Sequence, residues 1–268
     1  MLWARLKLRL GGGPVRVRLP FASWWMAEDD FCSHSILRGD FEAAEWRFVE
    51  RFLQPGMTVL DIGAHHGFYS LLASVKVGTA GRVIAFEPSP REREKLLRNL
   101  ALNGYTNVQV EDCALADVAG KQELALVGGI NSGCNSLRQP NVTDPISSIT
   151  VRVETLDEYL AGHTLPAIDF VKLDAEGAEL AILKGACKLL TARPRPVIQC
   201  EVEEIRTRPW GYHPREVVAL LDTMGYRWFQ LQEQGVLAPV DGRSEVDGNF
   251  FAVPAERVDQ LRARGLLA

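Results

Sequence analysis

The chain has 268 residues, a length that one large α/β domain or two small domains would satisfy equally. Its 47% hydrophobic residues provide enough material for a core and exclude a disordered chain. With 30 Lys and Arg against 34 Asp and Glu, the net charge of −4 gives no general attraction to phosphate backbones, so no nucleic-acid partner is expected.

The location of the protein follows from its apolar runs and its cysteines. No apolar run approaches the roughly 20 residues that cross a bilayer, and no such run follows the basic N-terminus as a signal peptide requires. The five cysteines are odd in number and have no C-x-x-C spacing. We therefore expect a cytoplasmic protein without a transmembrane segment, disulfides or a zinc site, and we leave a homo-oligomer open.

Residues 1–55 predict a small N-terminal cap. Residues 15–19 alternate between apolar and basic and predict a short strand that is exposed on one face. A helix with Asp40 as its N-cap and an apolar stripe that reaches Phe52 follows. No acidic residue precedes Glu28, and we interpret the basic start as an edge element, with contact to a membrane or an acidic ligand as the alternative. The basic residues before Glu28 are Arg5, Lys7, Arg9, Arg16 and Arg18.

After the cap, short buried runs alternate with helical stretches, which is typical of a parallel sheet covered by helices on both faces. The best-marked helix has Ser89 as its N-cap, Pro90 at the first helical position, a Glu92 capping box and Gly104 at its end. The buried runs are residues 58–62, 82–87, 107–112, 168–173 and 197–202. The pattern predicts an α/β, doubly wound, mostly parallel sheet.

Two later segments complete the predicted domain of residues 56–256. Residues 128–148 are rich in Gly, Asn, Ser and Pro and predict a loop insertion, either a lid or a disordered segment. Strands at 226–231 and 249–253 predict an antiparallel hairpin that finishes the sheet. Residues 257–268 remain as a C-terminal tail.

The first strand leads into a turn that suits a small ligand. Gly63, Ala64 and Gly67 let the backbone turn tightly, and the start of the next helix offers N–H groups to an anion. A dinucleotide fingerprint would need glycines at the positions of His65 and Phe68, so NAD and FAD are disfavoured.

Acidic residues follow one strand after another at the edge where ligands of such sheets bind. Glu87 lies 26 residues after Asp61, a separation that suits an acid accepting the hydroxyls of a ribose. The acids at the strand ends are Asp61, Glu87, Asp112, Asp174, Glu176 and Glu201. The run of carboxylates favours a cationic or hydroxyl-rich ligand.

Several motifs in this order resemble the FkbM-type S-adenosylmethionine-dependent methyltransferases, over roughly residues 35 to 205. They are Gly39-x-Phe41-Glu42, Asp61-Ile62-Gly63-Ala64-x-x-Gly67, Phe86-Glu87-Pro88-x-Pro90, Ala114-Leu115, Asn135-Ser136-Leu137, Thr155-Leu156-Asp157 and Val171-Lys172-Leu173-Asp174-Ala175-Glu176-Gly177-Ala178-Glu179. The resemblance implies a seven-stranded class I methyltransferase fold that binds S-adenosylmethionine.

The resemblance also implies roles for single residues. The turn of Gly63, Ala64, His65 and Gly67 would wrap the methionine part of the cofactor, with Asp61 beneath it. Glu87, followed by Pro88, would hold the ribose hydroxyls, and Asp112, Cys113 and Ala114 would border the adenine. The family usually has Asn where this chain has His65, which leaves a cofactor contact and a structural role in the turn both open.

Methyl transfer to a hydroxyl requires close approach and removal of a proton. Asp174, Glu176 and Glu201 are the candidates to orient the acceptor, take its proton or hold a divalent ion such as Mg²⁺, while a structural role for Glu176 at a helix start stays open. We predict O-methylation of a sugar or natural product. The alternatives are a nicotinamide-dependent oxidoreductase and a non-catalytic S-adenosylmethionine-binding protein.

Overall fold

The computed structural model describes residues 2–233, 235–240 and 246–268. The helices are α1 (Leu2–Arg9), α2 (Phe31–Arg38), α3 (Ala43–Phe52), α4 (Phe68–Val77), α5 (Pro90–Asn103), α6 (Leu156–Ala161), α7 (Glu179–Lys184), α8 (Cys187–Thr191), α9 (Glu204–Thr207), α10 (Pro214–Thr223) and α11 (Val258–Ala263). The strands are β1 (Val15–Arg18), β2 (Trp24–Ala27), β3 (Thr58–Ile62), β4 (Arg82–Phe86), β5 (Val108–Glu111), β6 (Ala114–Leu115), β7 (Gly120–Val127), β8 (Ile146–Glu154), β9 (Phe170–Leu173), β10 (Val197–Val202), β11 (Tyr226–Leu231), β12 (Leu237–Pro239) and β13 (Gly248–Pro254).

The central sheet confirms the predicted α/β architecture. Among the described residues its eight strands lie in the order β12-β11-β13-β10-β9-β3-β4-β5. The five strands from β10 to β5 are parallel, and β13 runs antiparallel to both β10 and β11. The chain leaves β3 toward β4 and β5 and later returns to β9 on the other side, so the strand order reverses beside β3. Ligands of open α/β sheets bind at such a point.

Local sequence signals explain where the elements begin and end. Every residue of β3 is buried, as expected for a strand that is covered on both faces. Helix α5 has Ser89 at its N-cap and Pro90 at its start, and it ends at Gly104, whose left-handed backbone (φ 65°) lets its N–H reach two carbonyls of the last turn. The predicted capping box is not formed: the Ser89 hydroxyl contacts the side chain of Glu92 instead of a backbone N–H.

The cap contains more structure than the sequence pattern predicts. Helix α1 precedes an antiparallel β1–β2 hairpin, and α2 and α3 follow. The prediction of Asp40 as an N-cap is wrong, because Gly39 ends α2 and a turn separates it from α3, whose N-cap is Glu42 with a left-handed backbone (φ 37°). Asp40 instead pairs with Arg38 at 2.7 Å.

The predicted loop at 128–148 is shorter in the structure. Strand β8 begins at Ile146, because residues 146–153 pair with the whole of β7 in a long antiparallel hairpin. A 3₁₀ turn at Gly129–Asn131 and a β-bridge between Ser136 and Ala125 give the remaining segment a defined path. This segment, residues 128–145, is called the insertion loop below.

The predicted tail packs into the core. Leu261, Leu266 and Leu267 are buried in the same apolar cluster as Phe48 of the cap and Phe251 of the sheet. The cap and the tail therefore share one core with the central sheet, and the division at residues 55 and 256 stays a prediction. Among the described residues, no helix combines the length and the apolar character needed to span a bilayer.

Candidate active site

A cavity of about 260 Å³ opens at the carboxyl ends of β3, β4, β9 and β10. The cap closes it on one side with Trp25, Phe31 and Phe41, and the insertion loop closes it on the other with residues 133–137. The predicted site residues that line it are Asp61, Gly63, Ala64, His65, Glu87, Pro88, Cys113, Ala114, Asp174, Glu176 and Glu201. Their roles in cofactor binding and catalysis stay predictions.

The turn after β3 depends on two glycines. A Cβ at Gly63 (φ 80°) would lie 1.8 Å from the carbonyl oxygen of Asp174, so the turn touches the end of β9 directly. A Cβ at Gly67 (φ 89°) would lie 2.2 Å from Leu96 Cδ1. Gly67 is the N-cap of α4. Gly67 helps to form the turn but does not line the cavity, and its predicted contact with the cofactor stays a prediction.

Glu87 lies at the tip of β4 and faces the turn. Its two carboxylate oxygens accept the backbone N–H groups of His65 at 2.8 Å and Ser89 at 2.9 Å. Burial raises the pKa of Glu87 to about 7, although the two N–H donors act in the opposite direction. The sequence-predicted acid therefore lies beside the glycine turn, held by the backbone of both neighbouring segments.

Beneath the turn, Asp61 accepts a hydrogen bond from Ser70 Oγ at 2.5 Å, and burial raises its pKa to about 6. His65 has a left-handed backbone (φ 50°), and burial lowers the pKa of its ring to about 4, so the ring is neutral. The ring stacks on that of His66 with 3.6 Å between centroids. Its Nε2 is buried and has no hydrogen-bond partner among the described residues.

Asp112 departs from its predicted place. It is largely exposed, pairs with Arg152 at 2.8 Å and does not line the cavity. The chain turns between β5 and β6, so the buried Cys113 and the following Ala114 reach the cavity while the carboxylate points to Arg152. Of the three residues expected to border an adenine, Cys113 and Ala114 line the cavity and Asp112 does not.

The end of β9 brings Asp174 next to a lysine of the same strand. Lys172 Nζ lies 2.9 Å from Asp174 Oδ2. Burial alone would lower the pKa of Lys172, but the charges of Asp174, Glu42 and Glu201 outweigh it and keep the pKa above its ordinary value. Burial would raise the pKa of Asp174, yet Lys172 holds it below the usual range. Asp174 is therefore ionised at neutral pH.

Glu201 at the end of β10 completes a group of carboxylates with Asp174 and Glu176, whose oxygens lie within 4.8 Å of one another. The charge of Asp174, together with burial, holds the pKa of Glu201 well above its ordinary value. Of the two neighbouring acids, Asp174 therefore ionises first and Glu201 keeps its proton to higher pH.

Glu176 belongs to the turn between β9 and α7 and has a left-handed backbone (φ 53°). Its Oε2 lies 3.0 Å from Arg206 Nε, an ion pair whose geometry is too poorly aligned for a hydrogen bond. Burial raises the pKa of Glu176 to about 8 against the effect of Arg206. The insertion loop holds this turn in place, because Ser136 Oγ donates to the Glu176 carbonyl at 2.8 Å.

The sequence reading missed the contribution of the cap to this group. Glu42 lines the cavity and accepts a hydrogen bond from Tyr69 at 2.6 Å, and its carboxylate lies 3.7 Å from Lys172 Nζ. Gln199 donates to the Tyr69 hydroxyl at 3.2 Å. The available signals were the Phe41-Glu42 motif and the spacing of Lys172 two residues before Asp174, which places both side chains on one face of the strand.

Among the described residues, acidic side chains outnumber basic ones around the cavity. The ionisable acids that line it are Glu42, Asp61, Glu87, Asp174, Glu176 and Glu201, and the Lys and Arg residues that line it are Lys172 and Arg206. Both histidines are neutral because burial lowers their pKa values. The enclosed acidic surface favours a cationic ligand with hydroxyl donors.

Comparison with known proteins decides the family. Residues 61–228, more than half of the chain, match the Methyltransferase FkbM domain. The chain belongs to the FkbM methyltransferase family. It is 30% identical to the methyltransferase sdnD of Sordaria araneosa over 197 residues, which cover 63% of this chain and 73% of that protein.

Two further relatives differ in what their names say they methylate. The 31-O-demethyl-FK506 methyltransferase FkbM of Streptomyces tacrolimicus is 28% identical over 200 residues, 65% of this chain and 74% of its own. The ribosomal RNA large subunit methyltransferase E of Nitrobacter winogradskyi is 32% identical over 154 residues, 54% of this chain and 63% of its own.

Membership of the FkbM family confirms the prediction of an S-adenosylmethionine-dependent methyltransferase with a class I fold. The alternative prediction, a nicotinamide-dependent oxidoreductase, is therefore wrong. The cavity suits this cofactor on its own chemistry. The acidic lining fits a sulfonium cation, Glu87 offers acceptors for hydroxyls, and Phe86 with Cys113 offers an apolar wall for a base. His65 Nε2, which has no hydrogen-bond partner in the described part of the chain, is a further polar atom beside the cavity.

Proposed function

We propose that this FkbM-family enzyme methylates a hydroxyl group of a small molecule, a sugar or another natural product. The observation that carries the proposal is the pair of Asp174 and Glu201, which lies beside the glycine turn in the same cavity. Lys172 holds the pKa of Asp174 below its usual range, and the charge of Asp174 holds the pKa of Glu201 well above its own, so Asp174 is the member of the pair that ionises first. Such a pair can accept a proton from a hydroxyl, which is the step that O-methylation needs.

The wall formed by β3, β4 and the turn is assigned to the cofactor. Glu87 would accept the ribose hydroxyls while it keeps its backbone donors, and the region of Cys113 and Ala114 would border the adenine. The turn from Gly63 to His65 would hold the methionine part above Asp61. When bound, S-adenosylmethionine supplies a methyl group on a positively charged sulfur.

The wall formed by β9, β10, the cap and the insertion loop is assigned to the acceptor. Asp174 would receive the proton of the acceptor hydroxyl, which frees that oxygen to take the methyl group, and the sulfur of the cofactor would keep the electron pair of the broken carbon–sulfur bond. Lys172 holds Asp174 ionised and fixes its orientation at 2.9 Å. Before transfer, Glu201 would share its proton with the ionised Asp174 through a hydrogen bond. After Asp174 has taken the acceptor proton, one of the two protons of the pair would leave to solvent, which restores the charge that the pair had at the start.

The relatives support an oxygen acceptor. The FkbM protein of Streptomyces tacrolimicus is named for a substrate that lacks an O-methyl group. Phe31 and Phe41 from the cap give the acceptor wall an apolar part, and Glu42, Arg206 and Ser136 give it hydrogen-bonding groups. This mixture suits a hydroxylated molecule with apolar surface, such as a sugar or a polyketide.

We propose that the three acidic residues of the acceptor wall, Asp174, Glu176 and Glu201, act without a metal ion. Asp174, Glu176 and Glu201 offer oxygens within 4.8 Å, a spacing that a divalent cation could use. Two of these acids already have cationic partners, Lys172 and Arg206, at 2.9 and 3.0 Å. One oxygen of each of these two acids already faces a positive charge, so no divalent ion is needed to balance them.

The test is a labelled-methyl transfer assay with the full chain. We expect label to enter hydroxylated sugars or macrolide-like compounds and not the same compounds with the hydroxyl capped as a methyl ether. Total ribosomal RNA is assayed in parallel because of the relative named above. Label found only in RNA would overturn the proposed substrate class. Cofactor binding by calorimetry with no transfer to any acceptor would support the non-catalytic alternative.

A further inference from the structure

Helix α1 exposes a continuous apolar face. The exposed fractions are 80% for Leu2, 66% for Trp3, 58% for Leu6 and 75% for Leu10, which continues the last turn through a hydrogen bond to the Leu6 carbonyl at 3.1 Å. At about 100° per residue these four side chains share one third of the helix circumference. Exposed contiguous apolar patches of this kind mark interaction sites.

The opposite face of α1 fixes the helix to the protein. Ala4 and Leu8 are 2% and 3% exposed and belong to the main apolar cluster. The helix contacts α2 and β1, so it is held by the cap and does not depend on its exposed face for packing. The apolar face is therefore free for a partner while the helix stays folded on the domain.

Basic residues flank the apolar face. Arg5 and Lys7 lie on either side of it around the helix, and Lys7 Nζ lies 5.7 Å from the centre of the Trp3 ring. Arg16 and Arg18 are exposed on β1, the strand that contacts α1. The sequence has no acidic residue before Glu28. An apolar stripe bordered by cations is complementary to a bilayer surface that carries anionic headgroups.

We propose that α1 docks this enzyme on an anionic phospholipid surface. At about 1.5 Å per residue the helix is roughly 12 Å long, far shorter than the hydrocarbon core of about 30 Å, so it lies in the interface and does not span it. A second copy of the chain is a poorer occupant. Pairing two such helices would bring Arg5 and Lys7 of both copies together, and Asp40, an acid whose charge acts on Arg5, already pairs with Arg38 at 2.7 Å.

The experiment is co-sedimentation of the full chain with vesicles of phosphatidylcholine alone or with 30% phosphatidylglycerol. We expect at least tenfold stronger binding to the anionic vesicles. The double variant Leu2→Ser, Leu6→Ser should lose at least tenfold in affinity for them. Arg5→Gln, Lys7→Gln should lose about fivefold per charge on anionic vesicles and little on neutral ones.

The matched control is Val118→Ser, which removes an apolar side chain that is 67% exposed and lies outside the cap. It should bind vesicles as the wild type does. All variants are checked by circular dichroism and by S-adenosylmethionine binding, because α1 takes no part in the cavity. Wild-type protein that ignores anionic vesicles, or serine variants that bind them unchanged, would overturn the proposal. So would a dimer in light scattering that Leu2→Ser, Leu6→Ser converts to a monomer without any vesicle binding.

Discussion

The two walls of the cavity are built in different ways. On the wall assigned to the cofactor, the polar contacts of Glu87 run to backbone N–H groups of His65 and Ser89. On the wall assigned to the acceptor, Asp174 and Glu176 are instead balanced by the side chains of Lys172 and Arg206. The first wall comes from adjacent strand ends, while the second draws on the cap, two strands, the insertion loop and the segment after β10.

The difference implies a division of labour. Backbone donors stay in place when neighbouring side chains change, so the first wall suits a ligand that does not vary. Side-chain ion pairs depend on the identity of each partner, and a change in the cap or in the insertion loop would reshape the second wall without disturbing the first. Substitutions on the acceptor wall should therefore change kcat, and substitutions on the cofactor wall should change the Kd of the cofactor.

The largest effect is expected for Asp174→Asn. The amide cannot take the acceptor proton, so kcat should fall by roughly 10²- to 10⁴-fold, the range for loss of a general base. The cofactor Kd should stay within about twofold, because Asp174 makes its side-chain ion pair on the acceptor wall. Single-turnover kinetics and calorimetry measure the two quantities.

The control is Asp112→Asn, an exposed strand-end acid outside the cavity lining. It should leave both kcat and Kd unchanged. If Asp174→Asn turned over at the wild-type rate, the proton would go elsewhere and the proposed role of the pair with Glu201 would be lost.

A smaller effect is expected for Glu87→Ala, which should weaken cofactor binding by about 1 to 3 kcal/mol, the scale for losing charge-assisted hydrogen bonds. The measurement is calorimetry with S-adenosylhomocysteine. Because the variant also leaves the N–H groups of His65 and Ser89 without their acceptor, Glu87→Gln, whose amide oxygen can still accept one of them, serves as the second variant. The comparison is Asp112→Ala: equal losses at both positions would restore the sequence-based role of Asp112 beside the adenine.

The cofactor wall could be predicted from the sequence because its signals are local. A buried run ending in Asp61, a turn with Gly63 and Gly67, and a second run ending in Glu87 lie close together in the chain, and adjacent parallel strands bring their ends to one edge. Asp112 shows the limit of the same rule. The chain turns after β5, and one exposed arginine, Arg152, decides where the carboxylate points.

The acceptor wall could not be predicted in the same way. Asp174, Glu176 and Glu201 were located, but their partners come from distant segments: Glu42 lies 130 residues before Lys172, and Arg206 belongs to a segment with no strong pattern of its own. Such pairs depend on tertiary packing and leave no periodic signal in the chain. The exposed face of α1 could not be predicted for another reason. Apolar and basic residues largely alternate in residues 5–10, a pattern that is more typical of a strand than of a helix.

The pH dependence of cofactor affinity should also distinguish the two walls, with a moderate effect. Burial raises the pKa of Glu87 to about 7, so its carboxylate is mostly protonated at pH 6 and mostly ionised at pH 8. A ligand with hydroxyl donors and a positive charge prefers the ionised form, so cofactor affinity should rise by up to about tenfold from pH 6 to pH 8 and level off above it. Calorimetry across this range measures the change.

Glu87→Gln should remove most of that pH dependence. Asp61, whose pKa is raised to about 6, accounts for what remains at the lower end. If the dependence persisted in full, the titrating group would lie on the other wall, where burial raises the pKa of Glu176 to about 8.

The smallest effect is expected for metal removal. Lys172 and Arg206 provide the positive charge beside Asp174 and Glu176, so dialysis against EDTA should change kcat by less than about twofold. Added MgCl₂ should not raise the rate of the dialysed enzyme. Loss of activity in EDTA with recovery in Mg²⁺ would show instead that the three carboxylates hold a cation during turnover. The cation would then bind beside Lys172 and Arg206 or replace them, and in either case the change would be confined to the acceptor wall, while the cofactor wall, which backbone donors hold, would stay as it is.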